Sequence, residues 1–116
     1  MTEKAPKLLV DALDAINAAQ EFLAETSLDQ YLADKMRRSA VERQLEILGE
    51  ACARLVKLDF GWPIELSNLK LAIGLRNRII HGYDAVDDEI VYQTVKDDLP
   101  LLKAELSDLL SRRSAS

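Results

Sequence analysis

The chain contains one cysteine, Cys52, and one histidine, His81, among its 116 residues. A single cysteine excludes an intramolecular disulfide, and this usage is typical of proteins from a reducing compartment. One cysteine and one histidine are also too few for a zinc site of the Cys/His type within one chain. A site for Mg²⁺ or Mn²⁺ built from carboxylates alone is left open by these counts.

Glycine and proline are scarce as well, with four and three residues, which disfavours a turn-rich all-β fold. No apolar run approaches the roughly 20 residues of a membrane span, and the first seven residues lack the apolar stretch of a signal peptide. We therefore expect a cytoplasmic protein with no membrane partner. The net charge of −5 excludes a surface that is basic all round, as in proteins that clamp nucleic acid, but leaves a local basic site open.

Apolar residues recur at helical spacing along four long segments, and no segment alternates with period two. The segments run from Lys7 to Glu25, from Ser27 to about Lys57, from a start between Pro63 and Asn68 to Gly82, and from Asp87 to about Leu109. This pattern predicts an all-α bundle of four long helices, with or without one short extra helix. The second segment is either continuous or broken near 33–35. We expect residues 1–116 to form one helical domain, with a frayed tail at 112–116.

Three local signals refine this prediction. Ser27 and Gln30 have the spacing of a capping box at a helix start. Gly49 lies inside an apolar seam, which indicates either a close approach of two helices or simple tolerance of glycine. Pro100 is expected to kink or split the last helix near 97–98.

The segment Arg76–Tyr83 concentrates two arginines, the only histidine, an amide and a phenol. Asn77 and His81 are four residues apart and should share a helix face. Arg76 and His81 are about 140° apart around a regular helix. If the helix unwinds at Gly82, both side chains can converge on one anion.

These groups suit a phosphodiester, because guanidinium matches phosphate oxygens and imidazole moves a proton near neutral pH. RNA supplies its own nucleophile, the 2′-OH, so neither a metal nor another cofactor is required. One histidine cannot be both acid and base, but a two-fold dimer would bring two into one groove. The plainer interpretation of the same spacing is a set of solvated surface residues, with Tyr83 as a packing residue.

The order of these residues resembles the signature of the HEPN superfamily. Arg76-Asn77, a three-residue spacer and His81 match its motif, and Tyr83 extends it to the R-x4-H-x-Y form of HepT toxins. The stretches 41–51 and 83–102 resemble the second-helix block and the final helix of that family. The resemblance implies a HEPN-like helical bundle that forms a homodimer with both motifs in a shared cleft.

The function implied by the resemblance is that of a metal-independent endoribonuclease toxin from a type VII-like toxin–antitoxin pair, which leaves a 2′,3′-cyclic phosphate. Arg76 would bind the scissile phosphate of the RNA substrate, such as tRNA or mRNA. His81 would be the general acid or base, and Asn77 would orient the histidine or the RNA. The implied partner is a nucleotidyltransferase antitoxin of the MntA type, which would silence the toxin by AMPylation of Tyr83 and form a hetero-oligomer with it.

Arginines on the second helix are further candidates for RNA binding. Arg37, Arg38 and Arg43 form a local basic cluster that would guide RNA to the cleft, although a solvated helix face is the plainer interpretation. Arg43 and Arg78 are the RNA-binding residues we predict outside the motif.

Three alternatives remain from the sequence. Glu46 and Glu50 are four residues apart and could hold a divalent ion, but no matching carboxylate pair is evident, so we predict no metal site. The alternative function is a non-catalytic partner or substrate-binding subunit of a minimal nucleotidyltransferase. A weaker third possibility is nucleotide binding without catalysis.

Overall fold

A computed structural model describes residues 4–58, 66–81 and 86–115. The helices are α1 (Lys4–Leu23), α2 (Leu28–Ala33), α3 (Lys35–Lys57), α4 (Leu66–His81), α5 (Asp88–Gln93), a π-helical segment (Thr94–Asp98) and α6 (Leu99–Ala115). The last three follow one another without a break, so they form one long helical stretch. The described backbone therefore has four long helical stretches, one short helix and no strand, which confirms the predicted all-α bundle.

Capping side chains set the helix boundaries where the sequence predicts them. Ser27 accepts a hydrogen bond from the backbone N–H of Gln30, and the Gln30 side chain accepts one from the backbone N–H of Ser27. Asp34 separates α2 from α3 and accepts from the N–H of Arg37. This bond satisfies a donor that the first turn of a helix leaves without a partner. The predicted capping box and the predicted break near 33–35 are both confirmed.

The π-helical segment lies directly before Pro100. Proline has no N–H, and its ring crowds the carbonyl four residues earlier, so a regular helix cannot pass through it unchanged. The N–H of Leu99 donates to the carbonyl of Thr94, five residues back. The disturbance predicted near 97–98 is thus accommodated as a π-bulge, and the helix continues.

Apolar side chains from all the long helical stretches form one core, which includes Leu9, Ile16, Leu45, Leu69 and Leu106. Helix α1 packs against α3 and α6, and α4 packs mainly against α3. Cys52 is buried in this core, and burial raises the pKa of its thiol to about 12. The core therefore holds α4, which carries the motif residues, firmly against α3.

Some predictions fall outside these ranges. The break that Gly61 and Pro63 predict at 59–63, the helix end at Gly82 and the motif residue Tyr83 lie outside the described residues. Backbone helix is recorded to Ala115, and the fraying predicted for 112–116 stays a prediction. None of the described helices is both long and apolar enough to cross a membrane.

Candidate active site

Helices α3 and α4 meet at Gly49. A Cβ atom placed on Gly49 would lie 2.3 Å from the Cβ of Arg76 and 3.0 Å from the carbonyl oxygen of Ala72. Real Cβ atoms do not tolerate such a distance, so the contact requires glycine. The close approach that the sequence suggested at Gly49 is confirmed, and the side chain packed over the glycine is the motif arginine.

The guanidinium of Arg76 is held by two side chains. Its Nη2 lies 3.0 Å from Oε2 of Glu50, and its Nη1 donates to Oδ1 of Asn77 at 3.0 Å. The other oxygen of Glu50 accepts from Nε of Arg54 at 3.0 Å, so one carboxylate joins two arginines. Nε of Arg76 is buried and has no acceptor among the described residues. The side chain is 26% exposed, which leaves part of the guanidinium open to a ligand.

Arg76 lines a groove of about 380 Å³ between α1, α3 and α4, which we call the Arg76 groove. Its other lining residues are Leu8, Asp11, Arg43, Glu46, Ile47, Glu50, Ala51, Arg54 and Ile80. Three arginines thus surround an aliphatic floor, and the acidic residues between them are engaged in ion pairs. A guanidinium group whose N–H donors are oriented before a ligand arrives suits an anion with several oxygens, such as phosphate.

The remaining site residues that the structure describes lie on the outward side of α4. Asn77, Arg78 and His81 are exposed, and His81 is the last residue of the helix. Asn77 and His81 are both on this side, as their spacing predicts, but the Asn77 side chain contacts Arg76. Within the described residues no hydrogen bond or ion pair joins His81 to Arg76. One chain therefore fixes the arginine and presents the histidine to solvent.

The arginine cluster predicted on the second helical segment lies on α3, and its three members have different partners. Arg37 binds Asp34 and Thr26 and donates to the carbonyl of Phe22, which ties the start of α3 to the end of α1. Arg38 pairs with Asp88 at 3.6 Å. Arg43 lines the Arg76 groove and pairs with Glu46 at 3.2 Å. Of the three, only Arg43 lies at the candidate site.

The two glutamates considered for a metal ion bind arginines instead. Glu46 pairs with Arg43, and Glu50 pairs with Arg54 and Arg76. Within the described ranges there is no group of three or more His, Cys, Asp or Glu side chains arranged to hold a metal. The contribution of Glu50 to the arginine site is what the sequence reasoning missed. The only local signals were its position beside Gly49 and its i,i+4 spacing from Arg54.

Known proteins resemble this chain over most of its length. A family model described as Ribonuclease HepT-like matches residues 12–109. The chain is 37% identical over 98 residues to "Putative RNase MJ1380" of Methanocaldococcus jannaschii, covering 84% of this chain and 89% of that protein. It is 35% identical over 101 residues to "Probable ribonuclease HepT" of Thermococcus cleftensis, covering 87% of this chain and 91% of that protein. No solved structure gives a significant match.

Proposed function

The chain belongs to the HepT-like ribonuclease family, and we propose that it is a metal-independent endoribonuclease, the toxin of a type VII-like toxin–antitoxin pair. One observation supports the site most directly. The guanidinium of Arg76 is fixed by Glu50 and Asn77 at the edge of a groove, on the helix that ends in His81.

The reaction needs only these groups and the RNA. The 2′-oxygen attacks the adjacent phosphorus, the bond to the 5′-oxygen breaks, and a 2′,3′-cyclic phosphate and a 5′-hydroxyl result. A histidine acting as base removes the proton of the 2′-OH, and a histidine acting as acid protonates the 5′-oxygen. Arg76 stabilises the negative charge that develops on the phosphoryl oxygens. Asn77 keeps the guanidinium in place through its hydrogen bond to Nη1.

The need for both an acid and a base argues for a homodimer. Each chain has one histidine, and it is exposed at the end of α4. A two-fold axis beside the outward side of α4 brings two copies of His81 into one cleft, since an isologous interface pairs the same surface of both chains. Arg78, on the outward side of α4, flanks this cleft as an RNA-binding residue, and Arg43 binds RNA in the Arg76 groove.

Regulation is the part of the proposal that concerns Tyr83. An antitoxin of the MntA nucleotidyltransferase type transfers AMP from ATP to the phenol oxygen, and pyrophosphate leaves. The added phosphate occupies arginine donors that RNA requires, and the adenine blocks the cleft. Incubation with such an enzyme and ATP should raise the intact mass by one or more AMP units and abolish cleavage. The Tyr83→Phe protein should keep its mass, and modification of that variant at the normal level would exclude this tyrosine.

The ribonuclease itself is tested with total tRNA and a structured mRNA in the presence of EDTA. We expect the unmodified protein, checked by intact mass, to cleave, and the His81→Ala protein to cleave about 10²–10⁴-fold more slowly. Normal cleavage by His81→Ala would contradict the proposed site. No cleavage by an unmodified dimer would favour the other candidate function, a non-catalytic subunit of a nucleotidyltransferase.

A further inference from the structure

A second groove continues the Arg76 groove along α3. It has a volume of about 510 Å³ and lies between the first turns of α1 and the last turn of α3. The two grooves share Leu8, Asp11 and Arg54 as lining residues, so they form one continuous depression, which we call the α1–α3 trough. Between Arg43 and Lys57 the trough follows α3 for about 21 Å. It is therefore long enough to hold several groups of an extended ligand.

The charge of the trough is opposite to that of the chain. Six basic side chains line it: Lys4, Lys7, Arg43, Arg54, Lys57 and Arg76. The acidic lining residues are Asp11, Glu46 and Glu50. The whole chain, in contrast, has 20 acidic and 15 basic residues. A polyanion is therefore attracted to the trough and disfavoured over the rest of the surface.

The end of the trough far from Arg76 carries charge that the described residues leave unneutralised. Lys7 pairs with Asp11 at 3.2 Å, and Arg54 shares Glu50 with Arg76. No ion pair joins Lys4 or Lys57 to a described carboxylate. The described lining also contains no aromatic side chain on which a base could stack. Such a surface recognises phosphates rather than bases.

We propose that the α1–α3 trough binds the backbone of single-stranded RNA on one side of the cleaved phosphate, with Lys4 and Lys57 as phosphate-binding residues. This inference rests on the proposed function, because it takes Arg76 as the site of cleavage. Binding in the trough depends strongly on salt and little on base sequence, since its contacts are made to phosphates.

The test uses a fluorescein-labelled single-stranded 2′-O-methyl RNA, which lacks a free 2′-OH and is not cleaved. Its dissociation constant is measured by anisotropy between about 50 and 200 mM NaCl, for a uridine and an adenine sequence. The variant is Lys4→Gln/Lys57→Gln, since the described hydrogen bonds and ion pairs of Arg76 and Glu50 involve neither lysine. The matched control is Lys35→Gln/Lys70→Gln, which removes the same charge from exposed positions outside the trough.

We expect the trough variant to bind more weakly, with a slope of log K against log salt smaller by about 1.4, which corresponds to two lost phosphate contacts to a single strand. The control should keep the wild-type slope, and the two base sequences should bind alike. Equal slopes for both variants, or no binding of the probe by the wild-type protein, would overturn the proposal.

Cleavage of unmodified RNA, measured separately, distinguishes failure of the trough proposal from failure of the proposed ribonuclease activity. Cleavage by the wild-type protein with an unchanged slope for the trough variant would overturn the trough and leave the ribonuclease intact. A reduced slope in a protein that cleaves no RNA would support the trough and contradict the ribonuclease.

Discussion

The two sides of α4 differ in how their residues are held. Toward α3, buried residues and the glycine contact fix the helix and the stem of Arg76. On the outward side, a Cβ on Gly74 would meet no atom of the described residues within 4 Å, and Asn77, Arg78 and His81 are exposed. Packing within one chain therefore positions the arginine of the motif but not its histidine.

This difference separates two tasks of the proposed site. Phosphate binding needs a preorganised group, because a guanidinium that is already oriented loses less entropy when the anion arrives. Proton transfer needs a histidine that reaches the RNA and a second one opposite it. The inward side of α4 supplies the phosphate-binding group within a single chain. On the outward side, proton transfer is complete only in the proposed dimer.

The largest expected effects come from replacing the two motif residues while the fold is kept. His81→Ala removes the proton-transfer group and should lower RNA cleavage by about 10²–10⁴-fold. Arg76→Lys keeps the charge but loses the planar fork, and should lower cleavage by about 10²-fold. Initial rates in EDTA are the measurement, with circular dichroism as the check on folding. Wild-type activity of Arg76→Lys would show that cleavage does not need the planar guanidinium group of Arg76.

Gly49→Ala attacks the inward side directly. The new methyl group would overlap the Cβ of Arg76 and the carbonyl of Ala72, so α3 and α4 must move apart. We expect the free energy of unfolding to fall by about 1–3 kcal/mol, the usual cost of overpacking, despite the higher helix propensity of alanine. Urea unfolding measures this change, and cleavage should fall with it because Arg76 is displaced. An unchanged stability would mean that the contact can relax without cost.

Glu50→Gln is a milder change at the same place. Glutamine keeps one acceptor oxygen, which serves either Arg76 or Arg54 but not both, and it loses the negative charge that holds them. We expect kcat to fall by roughly tenfold with KM for RNA nearly unchanged, a smaller loss than the roughly 10²-fold caused by full misplacement of a reacting group. Glu46→Gln, one turn earlier and paired with Arg43, is the matched control and should keep its kcat. Equal kcat values for both variants would show that Glu50 does not contribute to the positioning of Arg76 for catalysis.

Gly74→Ala should have the smallest effect and the opposite sign. None of the described residues opposes a methyl group there, so alanine should raise the free energy of unfolding by about 0.4–1 kcal/mol. Urea unfolding of Gly74→Ala and Gly49→Ala is measured side by side. If Gly74→Ala lowered the free energy of unfolding as much as Gly49→Ala, the outward side of α4 would be tightly packed in the assembled protein.

The fold could be predicted from the sequence because its signals are local. The capping box at Ser27, the cap at Asp87 and the apolar seams each act within one or two helical turns. The disturbance by Pro100 is local too, although its form as a π-bulge depends on how the surrounding turn is packed.

The candidate site could be predicted only in part. The motif located Arg76, Asn77 and His81 on α4, and Gly49 indicated a close approach of helices. Neither signal showed that Gly49 and Arg76 meet, because Gly49 and Glu50 lie on α3 whereas Arg76 lies on α4. The α1–α3 trough brings Lys4 beside Lys57, positions that no helical periodicity connects.

The most direct test of the account is the activity of a dimer with one histidine. Differently tagged wild-type and His81→Ala chains are co-expressed, and the mixed dimer is isolated through both tags. Its control is a mixed dimer of wild-type and Lys70→Gln chains. Because acid and base come from different chains, one replaced histidine should lower RNA cleavage in EDTA by about 10²-fold or more. Retention of half the control rate would contradict the account, because it would mean that each chain cleaves RNA with its own histidine alone.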